Sequence, residues 1–263
     1  MNINIEDHRP LITILLIARS NMYLISQTLE SLIEQTYKDF EILILEENAS
    51  RRDIQTIRSY SSHIKKIHSF SDTSLSNMIN EGITFARGKY INILFPGDVY
   101  LSQYGLESLQ KKIEKDESLD LIYSAFLLRD GYAIPRVIQR DFNVMTLKKG
   151  QMPTRLSSCL FSKHILKKIE GVDSRYKYRF GFDLFCRILK KDNIKTCFIP
   201  QVMVDYEFFV KAPLEILEYA KETFIIIYRN FGFVKGMRWW LFHDSFNLVK
   251  WWLRAVTKLF AEI

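Results

Sequence analysis

Three short apolar runs mark the first hundred residues: Leu11–Ala18, Phe40–Leu45 and Tyr90–Phe95. Runs this brief and this continuous suit strands buried on both faces of a parallel sheet. Between them the apolar spacing becomes helical. Ser20-Asn21 offers a helix start, and Leu24, Leu29, Leu32 and Ile33 give Tyr23–Thr36 a buried stripe. Arg52–Ser59 and Ser74–Ala86 read as further helices, the second closing near Gly88. His63–Phe70 alternates as a short strand does. The pattern predicts an α/β domain. The second run breaks into Glu46-Glu47-Asn48 and the third into Pro96-Gly97-Asp98. Ligands of open α/β sheets bind beyond the carboxyl ends of the strands, so both breaks set polar groups where a ligand would lie.

Further along, the pattern predicts a helix over Leu101–Asp116 and a strand over Leu119–Leu128. An Asp130-Gly131 turn then leads to Tyr132–Ile138 as the hairpin partner. Ser162–Ile169 and Phe182–Lys191 read as helices, and Lys195–Ile199 as a last strand before Pro200. From Ala212 onward the chain is helical and aromatic, with helices over Leu214–Phe231 and Val234–Phe260. The expected division is an α/β domain over 1–211 and an amphipathic helical extension over 212–263. On the last helix Trp240 and Trp251 share a face. Arg238, Lys250, Arg254 and Lys258 are interleaved with its aromatics, which suits peripheral contact of 234–263 with an anionic membrane. The alternative is packing on the α/β body, or on a second copy of the chain in a homodimer.

Composition narrows the classes. At 263 residues and 48% hydrophobic, the chain has room for one large domain and an appendage. The net charge of +7 suits a polyanionic ligand, a nucleotide or an anionic membrane, and equally a solubilising surface. Three cysteines without metal spacing point to a reducing, cytoplasmic setting. No secretory signal pattern and no apolar run of about 18 residues is visible. The five histidines are scattered, and neither glycine-rich phosphate motifs nor a nucleophile elbow is present. The basic residues form no nucleic-acid stripe, so no nucleic-acid partner is expected.

Four blocks carry a family likeness: LITILLIARSN, LESLIEQTYKDFEILILEENAS, SNMINEGITFARGKYINILFPGDVYL and GVDSRYKYRFGFDLFCRIL. In order, spacing and length they resemble a GT-A glycosyltransferase of the family 2 type, from Pro10 to about Pro200. The resemblance implies a Rossmann-like, nucleotide-sugar-binding mixed sheet flanked by helices. It also implies a nucleotide-sugar donor, usually a UDP-sugar, a divalent Mg or Mn ion, and inverting transfer to an acceptor hydroxyl. The acceptor expected is a surface glycan or a lipid-linked molecule at a membrane face. The chemistry makes matching demands. A nucleotide diphosphate leaving group needs a cation, hard cations need oxygen ligands, and the acceptor hydroxyl needs a general base.

The resemblance assigns expectations residue by residue. Glu46 and Glu47 stand where similar proteins carry an Asp-Asp pair that meets the base or ribose. Ala18 and Arg19 lie where the backbone approaches the nucleotide, and Asp72 near the base. Asn80 and Gly82 match an Asn-x-Gly whose helix packs beside the donor, and Arg87 ends that helix toward the diphosphate. Gly97 lets the chain near the phosphates, and Asp98 is the metal or diphosphate contact. Phe95 replaces the first metal acid. The usual catalytic Asp falls on Gly181, which leaves Asp183 as base or as helix cap, with Asp173 and Asp205 as weaker substitutes. Ser157-Ser158 replaces the usual polar acceptor contacts. Because two motif positions depart together, the alternative reading is a glycosyltransferase-like binding or assembly subunit without turnover.

Overall fold

The computed structural model describes residues 9–19, 22–129, 134–207 and 213–242. Three parallel strands form its centre: β1 (Ile12–Ala18), β2 (Phe40–Glu47) and β4 (Tyr90–Leu94). Nearly every residue in them is buried, as the continuous apolar runs require. Helices α1 (Ile25–Ile33), α2 (Arg51–Ser59) and α3 (Leu75–Phe85) connect them by way of the edge strand β3 (Lys66–Phe70). Among the described residues the sheet has nine strands in the order β3-β2-β1-β4-β8-β6-β9-β5, with β7 paired to β6. The remaining strands are β5 (Val99–Tyr100), β6 (Leu121–Arg129), β7 (Arg136–Ile138), β8 (Cys159–Ser162) and β9 (Thr196–Glu207). From β1 the chain adds β2 and β3 on one side, then crosses back to lay β4 on the other. Such a reversal is where open α/β sheets hold their ligand crevice, here at the carboxyl ends of β1 and β4.

Alternation along each strand divides the core between the two faces of the sheet. Leu15, Leu43 and Ile91 face one layer with Ile79, Phe161 and Phe185. Ile14, Leu16 and Ile44 face the other with Leu29, Leu32 and Leu106. The helices α4 (Gly105–Lys115), α5 (Val144–Lys148), α6 (Lys163–Lys168) and α7 (Phe180–Leu189) cover these layers. The helices α8 (Pro213–Phe231) and α9 (Phe233–Phe242) follow. Ile226, Ile227 and Trp239 belong to the first layer, and the Trp239 indole donates to the Lys149 carbonyl at 3.0 Å. The segment expected as an extension thus packs into the main core as far as Trp239. The rest of the expected helix over Val234–Phe260, with Trp251, lies outside the described residues, as does the Asp130-Gly131 turn.

Two differences from the sequence reading have plain causes. The last strand does not stop at Pro200. It continues to Glu207, because the register against β6 jumps from Ser124↔Ile199 to Ala125↔Val202. Pro200 falls in that irregularity, where no ladder hydrogen bond is demanded of it. The short strands β5 and β8 were not anticipated. Two to four residues show no periodicity, and their pairing comes wholly from β9, β4 and β6.

Candidate active site

The carboxyl ends of β1, β2 and β3 meet through one side chain. Glu47, the last residue of β2, is buried and pairs with the half-exposed Arg19 guanidinium just past β1. Its other oxygen accepts the Thr73 backbone N–H at 2.9 Å, just past β3. Glu46, opposite Ala18 in the register, is also buried, and it accepts the Ala49 N–H at 3.3 Å. Asn48 takes a left-handed turn with φ 59°, a conformation Asn tolerates better than most residues. Ser50 and Asp53 then form a reciprocal capping box that starts α2. Asp72 also has a positive φ, lies exposed, and immediately precedes Thr73. Ser74 caps α3. Carboxylates, a guanidinium and a helix start therefore share one edge.

The loop after β4 closes the other side of the crevice. Gly97 has φ +97°, and a Cβ there would meet Leu24 Cδ1 at 2.9 Å. Both facts demand glycine. Its N–H donates to Thr28 Oγ1 at 2.9 Å. Asp98 is buried. Its Oδ2 accepts the Phe95 N–H at 2.9 Å, and the Ser157 hydroxyl and the charge of Arg155 lie beside it. Burial pushes its pKa up to about 6, while Arg155, the Phe95 N–H and Ser157 pull the other way. The carboxylate thus ties the turn to the chain entering β8.

This geometry bears on the expected metal. Asp98 is the one carboxylate of its loop, and its bonds go to protein donors. Glu47 is held by Arg19 and Thr73. Among the described residues no three His, Cys, Asp or Glu side chains group to hold a metal ion. The described residues thus form no ready-made cage, and Asp98 is the single carboxylate they could offer an ion held mainly by donor phosphates and water; no step below passes through one.

Three further expectations meet different surroundings. Asp183 is occupied by a neighbour on its own helix. It is buried on α7 and bonds Arg187 Nε at 2.6 Å, and Arg187 also donates to the Ile169 and Gly171 carbonyls. The pair fastens α7 to the turn after α6. Burial raises the Asp183 pKa against the opposing charge of Arg187. To take a proton this carboxylate would first have to leave Arg187. Asn80 gives both ends of its amide to Val172, accepting its N–H at 2.7 Å and donating to its carbonyl at 2.8 Å. Arg87 is corrected outright. The chain leaves α3 at the amino ends of the strands, where the Arg87 N–H donates to Glu41 Oε1 at 2.7 Å. Arg87 therefore lies on the edge opposite Glu46 and Glu47, away from any donor diphosphate.

Arg155 enters the site only through the fold, and the fold also gives Asp205 and Gly181 their surroundings. Arg155 comes beside Asp98 from far along the chain. Asp205 faces Val99 in the β5–β9 register, one residue past Asp98, and the Arg129 Nε reaches its two oxygens at 2.9 and 2.6 Å. Gly181, where the usual base would stand, is buried against Leu156 and Met152. None of these pairings leaves a local sequence signal.

The fold and the crevice at the β1–β4 switch define a GT-A glycosyltransferase architecture. The Glycosyl transferase family 2 profile matches residues 20–169, and the chain belongs to that family. It is 25% identical over 198 residues to the uncharacterized glycosyltransferase MJ1057 of Methanocaldococcus jannaschii, covering 71% of this chain and 67% of that one. It is also similar to the S. aureus TarS 1–349 crystal structure, with TM-score 0.66 and 12% identity over 89% of this chain and 71% of that one. TarS has also been solved with UDP-GlcNAc. The mannosyltransferase PcManGT from Pyrobaculum calidifontis, in complex with GDP-Man and Mn2+, matches with TM-score 0.62 and 12% identity. That match covers 97% of this chain and 76% of PcManGT. At such identities the structural likeness speaks for the fold.

Proposed function

We propose that this chain transfers a sugar, with inversion, from a UDP-sugar to a hydroxyl of a surface-glycan or lipid-linked acceptor at the cytoplasmic face of a membrane. The observation that carries the reading is Glu47 joining Arg19 to Thr73 at the carboxyl ends of β1, β2 and β3, with Glu46 and Asp72 beside it. Those groups are hydrogen-bond acceptors and a cation where a base and ribose would lie, and the Ala18 backbone ends in the same place. Glu and Arg reach farther than the shorter acids of similar proteins. Gly97 leaves room for phosphates at the crevice wall, and Arg155 sets a cation beside Asp98 in the turn. Asp183 and Asp205 are both paired, with Arg187 and with Arg129, and the base role goes to Asp205 on its placement, since β9 brings it to the strand edge one residue from Asp98.

Support for membrane contact comes from α9, which leaves Phe233, Val234, Trp240 and Leu241 exposed next to Arg238. Among the described residues no helix is long and apolar enough to cross a membrane. Contact of this kind is interfacial and reversible. A homodimer across the same apolar face is the competing use of these residues.

The test is a thermal-shift panel of UDP-, GDP- and CMP-sugars, since a ligand that binds only the folded state raises its apparent stability. UDP-sugars are expected to raise the Tm, and Glu47→Gln with Arg19→Ala to weaken that binding at least tenfold. If no nucleotide raises the Tm, the donor assignment fails. A second reading, a binding or assembly subunit without turnover, is favoured by Gly181 standing buried against Leu156 and Met152 in place of the usual base. Donor binding with neither transfer nor donor hydrolysis would select it. If transfer occurs, Asp205→Asn is expected to reduce it about 100- to 10,000-fold while donor binding persists.

A further inference from the structure

At the amino ends of the strands, on the edge opposite the donor crevice, the surface carries an open concavity of about 970 Å³. The segments that line it enter β1, β2, β4, β6 and β9, and α6 borders it. Seven Lys and Arg line it against four Asp and Glu, together with His164. Lys89 is paired with Glu117, and Lys195 with Asp116. Arg9, Lys167 and Lys168 are exposed and make no ion pair among the described residues. The Lys163 ammonium is held at the end of α3 by the Ala86 and Thr84 carbonyls. Its pKa is lowered, first by burial and then by the nearby charge of Lys167, against an opposing pull from Glu41 and with a smaller contribution from Arg9. Positive charge is thus concentrated in a concave, part-desolvated space, where it acts more strongly than on open surface.

We infer that this concavity binds an anionic ligand carrying two or more phosphate groups, through Arg9, Lys167 and Lys168 with Lys163 behind them. The concave shape suits a ligand that enters, rather than a flat bilayer. Seven residues of β1 separate this edge from the donor crevice, a span of about 20 Å. The concavity is therefore a second site, and an extended phosphate-bearing acceptor bound there could be held while its end is worked on elsewhere. The inference stands whether or not the donor assignment does.

The probe is sodium tripolyphosphate, titrated calorimetrically into the full chain at low salt with EDTA, beside the Lys167→Glu/Lys168→Glu variant. Both lysines are exposed on the last turn of α6, and thermal melts verify that the variant folds. The wild type is expected to bind one equivalent that weakens steeply with salt, and the variant to lose that equivalent by at least tenfold. Arg9→Glu is expected to weaken it in the same direction. Sedimentation with phosphatidic acid vesicles identifies the source. Vesicle binding lost in the variant, alongside tripolyphosphate binding, adds a phospholipid headgroup as a natural ligand, and tripolyphosphate binding without vesicle binding leaves a soluble phosphate-bearing one. Wild type and variant that titrate alike overturn the inference, as does a wild type that binds no tripolyphosphate.

Discussion

The carboxylate of Glu222 on α8 accepts the backbone N–H of Arg179 at 2.8 Å. The same carboxylate accepts the N–H groups of Lys177 and Tyr178 at 2.8 and 2.9 Å. Three consecutive amides aimed at one point make an anion-binding concavity, and here a side chain fills it. The contact fixes the entry to α7 and ties α8 to the body of the enzyme. Buried donors left unpaired cost about 1–3 kcal/mol each. Glu222→Ala is therefore expected to lower the unfolding free energy by about 3 kcal/mol, measured by urea denaturation. A loss below about 0.5 kcal/mol would mean that water replaces the carboxylate at no cost.

Asp98 gives a pH-dependent prediction with a definite sign. Its pKa is raised from 3.8 to about 6 by burial, so between those values the folded state holds the proton more than the unfolded state does. The contribution of this group to stability therefore falls as pH rises through that window. Asp98→Asn lacks the titration. The stability of the variant relative to wild type is expected to rise by roughly 2 kcal/mol from pH 4 to pH 7, read from paired denaturant curves. A pH-independent difference would contradict the buried placement.

Gly181→Asp tests whether the usual base can be restored. A Cβ at Gly181 would meet Leu156 Cγ and Met152 Cε at 3.3 Å, closer than comfortable packing. A carboxylate there enters an apolar pocket without a partner. The variant is expected to lose more than about 2 kcal/mol of stability and to gain no transfer activity. A folded variant with a large gain in transfer would move the acceptor hydroxyl to this helix.

Gly97→Ala addresses the crevice wall. The residue holds φ +97° with Leu24 at 2.9 Å from any Cβ. A strained backbone of this kind costs roughly 1–3 kcal/mol. The expected result is that loss together with weaker nucleotide binding, as the turn shifts toward the phosphates. Full affinity in the variant would place the diphosphate elsewhere.

Chelation checks the metal conclusion. With Asp98 turned to Phe95, Ser157 and Arg155, EDTA is expected to change nucleotide affinity less than threefold. A tenfold or greater loss, restored by Mn2+, would show that the donor phosphates and Asp98 together capture an ion.

The sequence by itself determined the sheet centre and the direction in which it is read. Leu11–Ala18, Phe40–Leu45 and Tyr90–Phe95 became β1, β2 and β4 because a doubly buried strand records its burial in every residue. It also determined that Glu46 and Glu47 end β2 at the ligand-binding edge, since strand direction follows chain direction. What each polar group does there depends on contacts that form only when distant segments fold together. Asp98 and Asp183 look alike in sequence to free acids, but their partners are Ser157 and Arg155 in one case and Arg187 in the other. Arg87 follows a helix that crosses the sheet, so three-dimensional direction, which periodicity does not encode, put it on the opposite edge. The basic concavity is the same lesson at larger scale. Five strand entries distant in sequence converge because parallel strands start at one edge, and their charges add only where the fold brings them together.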